Sequence, residues 1–237
     1  MWIRSLLKVA MTAMLAVAGA TPAWREATGA PEMSPQLLPG AVRELAPGKL
    51  LVAARGLPDP NFSETVILLA DYNEKGAMGL VINRPTQVRV ATAFPHLGLP
   101  QDYLPTLYAG GPVEPNGVLA LHRSRRSQGD ARGVVAGVHL LSARESLESL
   151  LAARTGADRL RVYVGYAGWG PGQLERETLH GSWHVFSAEA AVVFDRDPDT
   201  LWPRQIRRTD TRMVDNSRVS PLASPATAHL RPVVARQ

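Results

Sequence analysis

The chain contains no cysteine among its 237 residues. That absence rules out disulfides, thiolate metal sites and cysteine nucleophiles, though it leaves the redox compartment open. No apolar run approaches the ~20 residues that a membrane-spanning helix needs, so no stable span is expected in the mature chain. No serine lies in a Gly-x-Ser-x-Gly elbow, and Ser63, Ser142 and Ser182 carry no other mark of a nucleophile. The glycine-rich stretches are not followed by the Lys-Ser/Thr pair that a phosphate-binding loop requires. There is no helix-turn-helix pattern, zinc spacing or stacking run of the kind used on nucleic acids. No internal repeat is visible, and no regular β-α-β alternation, which argues against a doubly wound sheet.

An excess of one charge sign is also lacking over most of the chain. The net charge is +5, and the seven arginines against two aspartates from Arg204 onward account for all of it. The basic character therefore belongs to a tail rather than a groove, which argues against a nucleic-acid partner.

What is present is a 45% hydrophobic content, enough for a real core. Residues 1–23 read as a signal peptide. Arg4 and Lys8 precede the apolar run Val9 to Ala18, and Ala18-Gly19-Ala20 offers small residues for cleavage. Residues 24–47 form a Pro/Gly-rich linker whose composition buries little surface. Residues 48–209 read as the folded domain, and 210–237 as a basic disordered tail. Within the domain, short apolar runs near Leu50–Ala54, Thr65–Ala70, Met78–Asn83, Val118–His122, Leu160–Gly165 and Ser182–Phe186 suit strands. Ser142 to Glu145 fits a capping box for a helix through Leu147 and Leu151. A second helix is expected over Gln173–Leu179 and a last one over Asp199–Arg208. Strands dominate first and helices come late, which points to a mixed α+β domain.

The organising stretch is Gly165-Tyr166-Ala167-Gly168-Trp169-Gly170-Pro171-Gly172-Gln173-Leu174-Glu175. Its glycines permit tight bends and close backbone approach, and Trp169 offers a large flat face with one N–H donor. Glu175 in the first turn of the following helix suits the helix dipole but disfavours an anion there. Asp59, with Asn61, reads first as the organiser of its own turn. Asn83 can satisfy strand-end amides, and Arg84 offers a donor fork either to a ligand anion or to an internal carboxylate. His122 is a histidine candidate. His180 and His184 have metal-face spacing, but Gly181 lies between them and no carboxylate supports a site, so no metal is expected.

Four blocks in order carry a family resemblance: Leu57–Phe62, Gly76–Pro85, Gly110–Val113 and Gly165–Glu175, with Trp183 following. In these the chain resembles the YqgE/AlgH family. The resemblance implies a mainly antiparallel sheet with a small barrel-like core and surrounding helices. Members are described as transcriptional regulators and are otherwise of unknown function, and no catalytic residues or cofactor come with the family. The leader, linker and basic tail depart from the family pattern, in which chains start close to the first strand and look cytoplasmic.

The first reading is a non-enzymatic binding or regulatory module for an unknown small molecule or protein, without a cofactor. The candidate cleft is Asp59, Asn61, Asn83, Arg84, Gly110, Gly111, His122, Trp169, Gly172 and Glu175, drawn to one concave surface with Trp169 beside Gly110-Gly111. One alternative is an enzyme using Asp59, Arg84, His122 and Glu175; another is a transcriptional regulator. A working leader makes the protein exported, and otherwise it is cytoplasmic.

Overall fold

Runs rich in valine, isoleucine and leucine, closed off by glycine, proline and asparagine, fold as strands because branched side chains pack well on a pleated surface. The computed structural model describes residues 42, 44–100, 102–103, 105–125 and 131–217, with side chains as far as Thr209. The strands are β1 (Lys49–Ala53), β2 (Val66–Asn73), β3 (Gly76–Val81), β4 (Pro85–Arg89), β5 (Thr106–Ala109), β6 (Val113–Arg123), β7 (Arg132–Val135), β8 (Val138–Leu141), β9 (Leu160–Trp169) and β10 (Trp183–Ser187). The helices are α1 (Val90–Ala93), α2 (Arg144–Ala152), α3 (Gln173–Leu179), α4 (Ala190–Val193) and α5 (Leu201–Ser217).

The sheet runs β10-β1-β2-β3-β9-β6-β8-β7, with β5 against β9 and β4 against β5. The pairing of β5 with β9 is parallel and the other pairs of described strands are antiparallel. The fold is thus a mixed, mainly antiparallel α+β sheet, curled into a half-barrel. A bulge between Leu69 and Asp71 bends β2. At that bend Arg132 of β7 donates to the Ala70 carbonyl at 3.1 Å and lies 3.2 Å from the Asp71 carboxylate. Gly48, just before β1, comes so close to β7 that a Cβ there would stand 2.6 Å from the Val134 carbonyl oxygen. These contacts bring the β7 edge round to β1 and β2.

Strand alternation sends neighbouring residues to different cores. Inside the curl lie Leu50, Leu68, Leu80, Ile82, Leu121, Tyr163 and Phe186, closed over by Val193, Phe194, Leu201 and Ile206 from the α4–α5 segment. Outside, Leu51, Ile67, Val81, Ala167, Trp169 and Val185 pack against Leu174 of α3. A second outer core joins Val90, Leu107, Ala120, Leu160 and Val162 to Leu147 and Leu151 of α2.

Several boundaries differ from the sequence reading. Val42 and Leu45 are buried in the core beside α3, inside the stretch read as linker. Two apolar residues bury the end of a stretch whose average composition is that of a spacer. Helix α5 continues past Thr209 to Ser217. Helix α2 starts at Arg144 behind Ala143, without a side-chain cap, so the Ser142–Glu145 box does not form. Instead Glu148 receives Arg144 at 2.6 Å and His96 at 2.9 Å. The leader, the rest of the linker and residues 218–237 lie outside the described residues.

Candidate functional site

The turn after β1 is held by the strand end that follows β3. Asp59 accepts the Asn61 amide at 2.8 Å through Oδ1, and its carbonyl takes the Phe62 and Ser63 amides. Asn83 accepts the Val66 amide at 2.8 Å and donates to the Glu64 carbonyl at 3.0 Å. It thereby continues the ladder beside β2 past the end of β3. Arg84 reaches into the same turn and donates to the carbonyls of Asn61 (2.6 Å), Ser63 (3.0 Å) and Pro60 (3.4 Å). Burial pushes the Arg84 pKa below its ordinary value, and the nearby Asp59 charge partly offsets this. The fork binds three backbone oxygens of its own chain, and among the described residues no carboxylate forms a direct ion pair with it.

Beside this turn stands an aromatic cluster. Phe62 stacks on Trp169 with ring centroids 6.1 Å apart. Trp183 meets both edge-on, at 5.8 Å from Phe62 and 6.0 Å from Trp169. One oxygen of Glu177 accepts both indole N–H groups, at 2.9 Å from Trp169 and 2.8 Å from Trp183. The other oxygen takes the Gln173 amide at 2.9 Å, and Gln173 in turn accepts the Gly170 amide at 3.1 Å. The reason for the Gly170-Pro171-Gly172 turn follows from this arrangement. It delivers α3 with Glu177 facing back onto the tryptophans. Gly172, with φ of 67°, is the N-cap residue of α3. Glu175, in the first turn of the helix, is held by the Tyr72 hydroxyl at 2.7 Å. Burial first, then the hydrogen bond to Glu175 and its charge, push the Tyr72 pKa far up, so Tyr72 remains the donor.

Gly110 and Gly111 sit where β9 changes partners. Residues 162–164 of β9 pair with β5 and residues 167–169 with β3. Gly110 spans the gap: its amide donates to Val164 and its carbonyl accepts from Val81, each at 2.9 Å. A Cβ on Gly111 would lie 2.2 Å from the Tyr166 carbonyl carbon, and one on Gly165, where φ is 68°, would lie 2.3 Å from the Gly111 carbonyl oxygen. Only bare backbone fits this crossing.

The structure therefore brings Asp59, Asn61, Asn83 and Arg84 together, and Trp169 with Gly172 and Glu175 around α3. Phe62 links the two groups. Gly110 and Gly111 lie against Gly165–Ala167 instead, while the side chain of Trp169 faces Phe62 and Trp183. His122 has other neighbours: its cross-strand partners are His139 and Leu160. It is 3% exposed, and its Nε2 has no hydrogen-bond partner among the described residues. Burial, then the charges of Arg159 and His139, push its pKa below the ordinary histidine value. His180 turns back on its own helix, with Nδ1 2.6 Å from the Arg176 carbonyl, whereas His184 lies in β10. Among the described residues no three His, Asp or Glu side chains converge to hold a metal ion.

The sequence reading missed Glu177, and with it the joint role of Trp169 and Trp183. A signal was available: an acid in a short helix flanked by two tryptophans. It also missed an open groove of about 740 Å³ at another end of the sheet, lined by Arg123, Arg125, Arg159 and Asp158 among small residues. A near-zero net charge outside the tail conceals this local concentration of arginine.

The fold is a curled, mainly antiparallel α+β half-barrel, and comparison with known proteins gives its family. The chain belongs to the AlgH-like family (DUF179), whose family model matches residues 50–214. That match runs past Thr209, as α5 does. A UPF0301 protein of Chlorobaculum tepidum is 37% identical over 169 residues, covering 69% of this chain and 86% of the relative. One from Streptomyces avermitilis is 39% identical over 166 residues, covering 68% and 85%. The solution structure of the AlgH protein from Pseudomonas aeruginosa shares 30% identity and a TM-score of 0.59 over 78% of this chain and 97% of that one. A crystal structure of a Corynebacterium diphtheriae protein, at 24% identity, has the same fold with a TM-score of 0.58 over 69% and 87%.

Proposed function

We propose that this chain is a non-enzymatic binding or regulatory module. One observation carries the reading. The groups with chemical potential in the family's motif blocks are already engaged by the chain itself. Arg84 binds three carbonyls, Asn83 completes β2, Asp59 closes its own turn and Glu175 holds Tyr72. Such groups organise a rigid frame, and a rigid frame favours recognition because little order is lost on binding. The enzyme alternative needs Asp59, Arg84, His122 and Glu175 on one cleft. His122 has its cross-strand neighbours elsewhere, which weighs against it. The regulator reading rests on the family description. Among the described residues no helix is long and apolar enough to cross a membrane. The leader pattern supports an exported protein, with the cytoplasm as the alternative.

The test is a metabolite screen by thermal shift, followed by NMR of each hit before and after incubation with the protein. A ligand that binds the native state raises the melting temperature by mass action. The expected outcome is hits recovered unchanged. A hit converted into a product would overturn the reading.

A further inference from the structure

We infer that the groove beside β6 binds a small soluble ligand with a multiply charged phosphate group, and that Arg123, Arg125 and Arg159 are its contacts. The inference rests on the binding-module reading and adds a place and a ligand class.

Four separate segments build the groove: the end of β6 with Ser124 and Arg125, the Ala136–Gly137 turn between β7 and β8, Asp158–Arg159 before β9, and Ala190 at the start of α4. Backbone hydrogen bonds fix three of these segments to one another. The Arg123 amide donates to the Arg159 carbonyl at 2.7 Å, and the Ser124 amide to the Gly137 carbonyl at 3.0 Å. The backbone positions that carry Arg123 and Arg159 are thus held side by side before any ligand arrives. Apart from Asp158, the remaining lining residues, Ser124, Ala136, Gly137 and Ala190, are small and leave the space open. A volume of about 740 Å³ lies within the ordinary range for a small-molecule site.

Charge supplies the ligand class. Elsewhere the arginines that serve the fold have partners. Arg132 has Asp71, Arg144 has Glu148 and Arg204 has Asp195, while Arg84 and Arg161 bind backbone carbonyls. Among the described residues Arg123, Arg125 and Arg159 have no side-chain hydrogen bond or ion pair. Three arginines lining one space suit the oxygens of a phosphate or diphosphate, which guanidinium groups bind in pairs. Asp158, the one acid in the lining, opposes an anion at its own position. It suits a hydroxyl donor on the same ligand, as in a sugar phosphate.

The experiment uses the full chain and titrates inorganic pyrophosphate by calorimetry, against sodium sulfate at equal ionic strength. Pyrophosphate is expected to bind and sulfate far more weakly. Each of Arg123→Gln, Arg125→Gln and Arg159→Gln should weaken pyrophosphate about tenfold, the effect of one lost charged hydrogen bond. Arg196→Gln, an exposed arginine outside the groove, should change nothing. These are exposed positions, and circular dichroism confirms that each variant is folded. Ribose 5-phosphate should compete with pyrophosphate, and Asp158→Ala should weaken the sugar phosphate more than pyrophosphate.

Absence of wild-type binding at about 10 mM pyrophosphate overturns the inference while leaving the module reading intact. Equal binding by the three groove variants overturns it as well. Binding only to vesicles of phosphatidylcholine with phosphatidic acid, and not to soluble phosphates, also overturns it. Release of inorganic phosphate from bound pyrophosphate would uphold the groove and overturn the module reading.

Discussion

Trp169→Ala tests what the organising stretch is for. The indole is 5% exposed, stacked on Phe62, edge-on to Trp183, and bonded to Glu177. Truncating a buried tryptophan of this kind costs about 3–5 kcal/mol in lost burial and residual cavity. Glu177 keeps Trp183 and Gln173 as donors, so the lost N–H adds about 1 kcal/mol rather than the cost of a stranded charge. A total of about 4–6 kcal/mol follows, and with a urea slope near 2 kcal/mol/M the midpoint should fall by about 2–3 M. Trp169→Phe keeps an aromatic face and loses the N–H, and should cost about 1–2 kcal/mol. Urea unfolding followed by far-ultraviolet circular dichroism measures both. A cost below about 1.5 kcal/mol for the alanine variant, well under the usual range for such truncations, would refute the locking role. Equal costs for the two variants would refute the assignment of most of the energy to ring burial.

Other outcomes follow from the same frame. Arg84→Ala strands three turn carbonyls and should cost about 2–4 kcal/mol, and Arg84→Lys should recover only part because it lacks the fork; urea midpoints give both values. Gly111→Ala forces backbone atoms at Tyr166 apart and should leave little folded protein, seen as loss of the cooperative transition. The depressed pKa of His122 means that the unfolded chain binds its proton more readily, so stability should fall as pH drops below about 6.5, with the loss complete once pH passes the lower folded value. Burial and then Arg55 shift His184 the same way, and the hydrogen bond from Arg204 holds Asp195 low, so its share disappears only at more acid pH. Histidine NMR titration combined with melting temperatures from pH 8 to 5 checks the sign. Mass spectrometry of the protein from fractionated cells should find residues up to about Ala20 or Ala23 removed, as signal processing would leave it; an intact Met1 in the cytoplasmic fraction would count against export.

Much of the fold was legible because strands such as Leu50–Ala53 and Leu160–Val164 are short, apolar and sharply punctuated. The Ser142 box was a local pattern that lost to tertiary context, since Glu148, not Glu145, gained partners from Arg144 and His96. Val42 and Leu45 were hidden because composition averages over a window, whereas docking depends on two side chains. Within the candidate site, the proximity of Asn83 and Arg84 to the Asp59 turn was foreseeable as chemistry but not as geometry. A fork that binds three carbonyls has no sequence signature, because backbone oxygens are everywhere. His122 was grouped with residues that lie on other strands, since strand order cannot be read from one sequence. The arginine groove escaped notice because its members come from segments joined only by pairing of β6, β8 and β9.

The exchange of partners along β9 has a consequence in time. β3, β5 and β6 all take β9 as a neighbour, yet they are complete by Arg123, and β9 begins only at Leu160. β10, which completes the edge beside β1, comes later still: Lys49 waits for Ser187. A chain emerging in order can form local hairpins such as β2–β3 early, but the curl has no closing strand until most of its length is present. Contacts of such long sequence separation form slowly. During that interval the polypeptide remains an open string of hairpins rather than a finished barrel.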